Sequence, residues 1–428
     1  MKKLLLKLYF FVMGLLLLTV GAVAQEPLLF LSTQLNPPQE AGKMRQEILK
    51  DFPYPVDYLP YDDRAVFNRL AINGNGETKT PSLLGGLHGD FVSLYNMSAL
   101  TGLADVLPHI KRRKLSPSYL ELGKFGQSQN YYVPWMQATY IMAANRKALA
   151  HLPEGADINN LTYDQLRTWA ENIKKETGAA KLGFPVGSKG LMHRFFQGYL
   201  YPSFTGGMAG NFKSAEAVEM WTWFRGLWKT VNTRSLSFTN MSEPLLSEDV
   251  WIAWDHTARL LQAMETRPDD FIAFPAPIGP KGRGFLVVLA GLAIPQNAPN
   301  REAAGELITY LTQPEVQLST LRNVGFFPVL TDIDVSDLPA GLASIGSAVT
   351  KQAAGADALP AMLPVGLGKR GREFNVVYLL TFSQIVLRGA NIEDVLAKQG
   401  QSLSQLLHDV NAPCWPPDAP SEGPCPVN

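Results

Sequence analysis

An unbroken apolar run, Phe285 to Ile294, constrains this chain more than any other stretch. It reads as a strand long enough to leave one sheet and enter another. A second extended segment has the same character. The strand-like pieces Tyr131-Tyr132-Val133 and Thr139 to Ala143 lie nearly back to back, with Pro134-Trp135-Met136-Gln137 between them. A chain that crosses between sheets needs extended segments of this kind. Length agrees with two bodies. The chain has 428 residues, too many for one hydrophobic core.

The N-terminus has the three zones of a secretory leader. Lys2, Lys3 and Lys7 supply positive charge, Phe10 to Val20 is apolar, and Ala22-Val23-Ala24 is a small-x-small cleavage site. The mature chain is expected to begin at Gln25. No cysteine stands at that point, so no lipid anchor is expected, and a soluble protein of the periplasm fits best. No later apolar run reaches membrane-spanning length. Apolar residues make up 46% and charged residues 18%, and the formal net charge is zero. No global field steers such a chain toward nucleic acid or acidic lipid. The two cysteines, Cys414 and Cys425, lie in a proline-rich tail, and in an oxidising compartment they are expected to pair.

Local signals read as alternating strands and helices. A strand at Leu28–Ser32 leads through a polar loop, Thr33 to Glu40, into a helix with Ala41, Met44, Ile48 and Leu49 on one face. Val56–Leu59 and Asp90–Tyr95 read as further strands, with Gly74–Pro81 as a loop. The alternation predicts α/β architecture with a largely parallel sheet. Thr162 and Gln165 form a capping box, Leu166, Trp169, Ala170 and Ile173 a buried stripe, and Gly178 a stop. In Ser214–Trp228, the residues Val218, Trp221, Phe224 and Trp228 have helical spacing and read as core, ahead of a sugar platform. Val250–Trp254 and Phe271–Phe274 read as strands. Asn300 caps the next helix, and Thr312 with Glu315 reads as a second capping box around Pro314.

In that order, these pieces resemble family 1 extracellular solute-binding proteins, the group that includes maltose-binding protein. The similarity covers about residues 28 to 410. Its most specific part is Asp270 to Gln317: Phe274-Pro275-Ala276-Pro277, a Gly-rich turn, a crossing strand ending in Leu292-Ala293-Ile294-Pro295, the Asn300-Arg301-Glu302-Ala303-Ala304 helix start, and Pro314-Glu315-Val316-Gln317. Gly325-Phe326-Phe327-Pro328, Leu161 to Leu166 and Gly389 to Leu396 add weaker matches. The resemblance implies a two-lobed periplasmic binding protein fold, α/β in both lobes, joined by crossing hinge segments that close on ligand. Residues 25–136 and 290–332 would form one lobe, 137–289 and 333–410 the other, and 411–428 the tail. It also implies a carbohydrate ligand and a partner permease of an ABC importer. No cofactor, no nucleic acid and a monomer are expected.

A sugar offers hydroxyls and apolar C–H faces, so its receptor needs aromatic plates and short polar side chains. The cleft between lobes, lined by strand ends and crossings, is the place for them. Candidate ligand-binding residues are Gln34 and Glu40 after the first strand, Tyr95 and Asn96 after the third, Trp135 and Gln137 at the first crossing, Trp254 and Asp255 at a strand end, and Arg372 in a late loop. For each aromatic a core position stands beside the cleft position. Trp254 shares a face with Ile252 if its strand continues, and is then core. The family's strand-end Trp falls near Ala258 here, and a late platform Trp near Asn375, so stacking is redrawn and maltose specificity does not carry over. No metal-binding histidine spacing and no Gly-x-Ser-x-Gly elbow occurs, so no enzyme is expected. The adjacent carboxylates Asp62-Asp63 and Glu248-Asp249 read as surface. Two alternatives remain. One is a same-fold receptor for a polyol or glycerol phosphodiester, with Lys369, Arg370 and Arg372 facing the anion. The other is a secreted glycoside hydrolase.

Overall fold

The computed structural model describes residues 26–34, 39–61, 67, 71–72, 80–334 and 337–428. The leader with its cleavage site, Gln25, Asp62-Asp63 and most of the Gly74–Pro81 loop lie outside the described residues.

Strand β1 (Leu28–Ser32) is followed by α1 (Gln39–Lys43), which runs on as a π turn over Met44–Ile48, and by β2 (Val56–Pro60) and β3 (Leu83–Leu87). Strand β1 pairs in parallel with both β2 and β3, as the alternation predicts. The expected strand at Asp90–Tyr95 is instead helix α2 (His88–Asn96). The apolar Leu83-Leu84-Gly85-Gly86-Leu87 takes the strand. Asp90 Oδ2 then accepts the Leu87 N–H at 2.9 Å and closes the first helical turn. Phe91 and Leu94, one turn apart, are buried.

Strand β4 (Val133–Ala138) belongs to this first sheet, whereas β5 (Tyr140–Asn145) belongs to a second. Thr139 alone lies between them. The crossing is therefore shorter than the sequence implies, and Pro134–Gln137 lies inside β4, at a register shift that skips Trp135. Helix α3 (Tyr163–Thr177) has the expected capping box, with Thr162 Oγ1 accepting the Gln165 N–H at 3.1 Å and Gly178 left-handed at its end. After β6 (Leu182–Gly183), α4 (Ala215–Leu227) buries Trp221 and Phe224, so the core reading of that aromatic row holds. Strand β7 (Ile252–His256), helix α5 (Thr257–Thr266) and β8 (Phe271–Phe274) complete the second sheet, ordered β6-β7-β5-β8. Its two faces fill different clusters. Tyr140, Met142, Ile252 and Trp254 enter the main core, while Ile141, Ala143 and Ala253 face α5.

The apolar run is β9 (Arg283–Ala293). Helices α6 (Arg301–Leu311), α7 (Pro314–Val324) and α8 (Ala340–Ala354) follow, then β10 (Ala358–Met362), α9 (Gly371–Phe382) and α10 (Ile392–Asp409). Strand β9 pairs with β10 over Arg283–Val287 and with β3 and β4 over Val288–Ala293, so one strand spans the whole width of the junction. The first sheet runs β10-β9-β3-β1-β2, with β4 also on β9. Asn300 caps α6 as expected. The Thr312–Glu315 box does not form, because the Thr312 hydroxyl bonds back to the Ile308 carbonyl at 2.8 Å and Gln313 becomes the cap position.

Buried polar groups tie the crossings together. Thr139 Oγ1 donates to the Leu286 carbonyl at 2.6 Å, and Tyr199 Oη accepts the Tyr140 N–H and donates to its carbonyl. Gln352 of α8 donates to the Tyr140 carbonyl at 3.0 Å and accepts the Ala276 N–H at 2.9 Å. The tail is closed by the Cys414–Cys425 disulfide. Asp418 accepts the N–H groups of Met208, Ala209 and Gly210 at 2.8–2.9 Å, and Trp415 packs on Phe374. Among the described residues no helix is long and apolar enough to cross a membrane.

Candidate ligand-binding site

The second sheet delivers its chemistry at the end of β7. That strand passes without a loop into α5, whose first N–H bonds to the Thr139 carbonyl at 3.0 Å. Helix α5 is thereby fixed to the crossing and faces α1 and the end of α7 from the first-sheet side. Gly325 ends α7 in the left-handed conformation (φ 72°). A Cβ there would stand 3.1 Å from the Ala258 backbone, which shows how closely the two sides approach. Beside this contact opens a crevice of about 460 Å³, walled by Glu40 and Lys43 of α1, Asn323 and Val324 of α7, Arg259, Gln262 and Glu265 of α5, and the loop residues Lys189, Thr239 and Asn240.

Arg259 is its electrostatic centre. Its Nη1 donates to the carbonyls of Thr239 at 2.8 Å and Lys189 at 3.2 Å, which fixes the guanidinium. Opposite, Glu40 is 6% exposed, and its Oε1 has no hydrogen-bond partner. Burial pushes the Glu40 carboxyl well above the usual range, against the pull of Arg259 and Lys43. Behind Arg259, burial drives His256 down to about 3, aided by the Arg259 charge. His256 Nδ1 accepts the Ala258 N–H, a cap that needs the neutral ring. Burial lifts its neighbour Asp255 to about 6, while the charge of Arg259 pulls the other way. An acid-free first turn holding Arg259 at the positive end of α5 opposes the helix dipole. That was the sequence signal for this residue, and reasoning from aromatic plates passed over it.

The other candidates fall in several places. Glu40 lines the crevice. Gln34, half-buried, donates to Thr33 Oγ1 at 3.2 Å at the same end of β1. Trp135 is fully buried against Phe30, with ring centroids 5.6 Å apart, inside the first-sheet core. Gln137 accepts from Tyr119 Oη at 2.6 Å and donates to the Pro328 carbonyl at 2.8 Å, so both ends of its amide tie β4 to neighbouring chain. Trp254 is fully buried because β7 continues through Asp255. It stacks on Tyr140 at 4.8 Å with Phe195 and Tyr199 at its edges. Asp255, also buried, accepts the Met241 and His256 N–H groups and holds the strand end. Tyr95 and Asn96 are carried away from the strand end by α2. Tyr95 stacks on Phe125 at 4.9 Å and Asn96 is exposed. Arg372 is exposed in the first turn of α9, and Arg370 beside it is paired with Glu373 and Asp409. Glu248 and Asp249 form surface ion pairs with Lys147, Arg267 and Arg234. The aromatic plates thus went to the cores, and the crevice between the sheets is charged and polar.

Residues 43–341 match the family model of the bacterial extracellular solute-binding proteins, and the chain belongs to that family. No curated protein matches the chain in sequence. Among solved structures it is similar to the GacH receptor of Streptomyces glaucescens, solved unliganded and with acarbose, at 15% identity and a TM-score of 0.68 over 90% of this chain and 98% of that one. Maltose-bound MalE3 of T. maritima gives 16% identity and a TM-score of 0.71 over 89% and 100%. UgpB from Mycobacterium tuberculosis, in complex with glycerophosphocholine, gives 20% and 0.71 over 89% and 98%. At these identities the likeness establishes the two-lobed fold.

Proposed function

We propose that this chain is the periplasmic capture component of an ABC-type importer for a carbohydrate, acting as a monomer once the first 24 residues are removed. The observation that carries the reading is the crevice between the sheets, whose walls come from α1 and α7 on one side and α5 on the other. A solute seated there touches both sides at once, and only contacts made from both sides favour a closed state. The lobes, residues 25–136 with 290–332 and 137–289 with 333–410, would turn about Thr139 and the middle of β9. Glu40 and Gln34 would contribute from one lobe and Arg259 and Asn240 from the other. Structural relatives that hold acarbose and maltose support a sugar as the class of ligand. Reception without catalysis accords with the family.

A thermal-shift screen of the mature protein against mono- and oligosaccharides tests the reading. A true ligand at 100 times its dissociation constant adds about 2.7 kcal/mol to stability. Small-angle scattering with that ligand should show a smaller radius of gyration. Binding at an unchanged radius would rule out closure. A panel without a single stabilising carbohydrate, and with release of reducing sugar from a polysaccharide, would replace the receptor by a hydrolase.

A further inference from the structure

The chain carries no net charge, and several of its arginines are neutralised where they stand. Arg267 pairs with Glu248 and Asp270, Arg301 with Asp105, Arg234 with Asp249, and Arg370 with Glu373 and Asp409. The crevice gathers cations that lack such partners. Lys43, Lys189 and Arg259 reach it from three separate elements, and among the described residues none forms an ion pair with a carboxylate. Arg259 is held only by carbonyl oxygens, which position a guanidinium without cancelling its charge. One acid of the lining, Glu40, is buried with an unpartnered oxygen. Burial works against its charge, while Arg259 and Lys43 lie near enough to work for it. Glu265, at the exposed rim, is the other acid of the lining.

We propose that the captured solute is an anionic carbohydrate or polyol, whose carboxylate or phosphate oxygens sit between Arg259, Lys43 and Lys189 while Glu40 and Asn240 meet its hydroxyls. This rests on the crevice being the ligand site. It moves the anion from Lys369–Arg372, where the sequence offered it, to the junction of the sheets. The exposed mouth keeps the cations hydrated in the empty state. Closure around an anion would dry them and strengthen the attraction.

Titration calorimetry on the mature protein with maltotriose, trigalacturonate, glycerol 3-phosphate and glycerophosphocholine tests this. At least one anionic probe should bind about tenfold or more tighter than maltotriose, and its affinity should fall as salt rises from about 20 mM to about 500 mM. The Lys43→Gln/Lys189→Gln pair, both exposed, should weaken the anionic probe about tenfold with an unchanged melting temperature. Arg259→Gln should weaken it further. Trigalacturonate as the tight probe assigns the anion to a carboxylate, and a phosphate ester assigns it to phosphate. Tight maltotriose binding, indifferent to salt and to the lysine pair, overturns the anionic proposal and leaves the carbohydrate reading standing. No binding by any of the four probes overturns the anionic proposal. If the wider sugar screen is silent too, the carbohydrate reading falls with it.

Discussion

Trp254 and Tyr140 are stacked plates 4.8 Å apart with an interplanar angle of 6°, the geometry a sugar receptor presents to a pyranose face. Here the two rings satisfy each other, one from β7 and one from β5, and the edges of Phe195 and Tyr199 close the remaining sides. A face already covered by another ring has no surface left to offer a ligand. Trp254→Ala should therefore cost about 3–5 kcal/mol of stability, as a large core truncation does. Affinity per folded molecule should stay within about a factor of three, because the crevice side chains do not depend on the ring. Chemical unfolding and calorimetry on the same preparation separate the two effects. A loss of affinity beyond about tenfold at unchanged stability would return Trp254 to the ligand site. Arg259→Gln is the reverse case, with a large effect on the anionic probe and a small one on folding.

At the scale of elements, the C-terminal tail is the piece whose fastening is easiest to isolate. Its disulfide closes a loop of 11 residues' separation, which stabilises by about 3 kcal/mol in the chain-entropy account. Asp418 adds a carboxylate that receives three backbone N–H groups. Reduction should lower the melting temperature, and Asp418→Ala should cost on the order of 3 kcal/mol by orphaning those donors. Neither should change ligand affinity, because the tail rests on Phe374, Met362 and the 208–210 turn, away from α1 and α5. Calorimetry in the presence of reductant checks this, and lost binding would place the tail at the crevice. The elements readable from sequence were those whose signals are local. Thr162, Gln165 and Gly178 delimit α3 without outside help, and the apolar run of β9 has no helical reading that ends at Pro295. Asp90–Tyr95 was misread because the strand before it, Leu83–Leu87, holds two glycines and shows no alternation. The Thr312 box failed because its hydroxyl had a nearer acceptor inside α6. Of the site, Glu40 was legible from its loop. Lys43, Lys189 and Arg259 were not, since they converge only through the packing of α1, α5 and a loop distant in sequence.

For the whole molecule, the response to acid is set by buried groups whose preferences oppose one another. Burial lowers His88 to about 4 and His256 to about 3, so each favours folding when neutral. Their contribution is complete above the ordinary histidine value near 6.5 and is lost as pH falls toward those lowered values. Asp255 has the opposite sign. Raised to about 6 from an ordinary 3.8, it contributes most below pH 3.8, and that contribution is lost as pH rises through 6. His256 and Asp255 are neighbours on one strand, both beside Arg259, and the geometry explains their contrast. The His256 ring must stay neutral to accept the Ala258 N–H, whereas Asp255 has no countercharge in contact and only two N–H donors. Removing them one at a time should therefore tilt the stability curve in opposite directions. Between pH 7 and pH 4.5, His256→Gln should regain about 2–3 kcal/mol relative to the parent, because the variant no longer resists protonation. Over the same interval Asp255→Asn should lose about 2 kcal/mol relative to the parent, beyond its constant cost of misplacing an amide where two N–H groups point. Urea unfolding of the three proteins at both pH values gives the slopes without needing the absolute stabilities. Slopes of the same sign would mean that one of the two groups is not titrating as its burial requires, and a flat difference for His256→Gln would mean that the ring already exchanges its proton with solvent in the folded state.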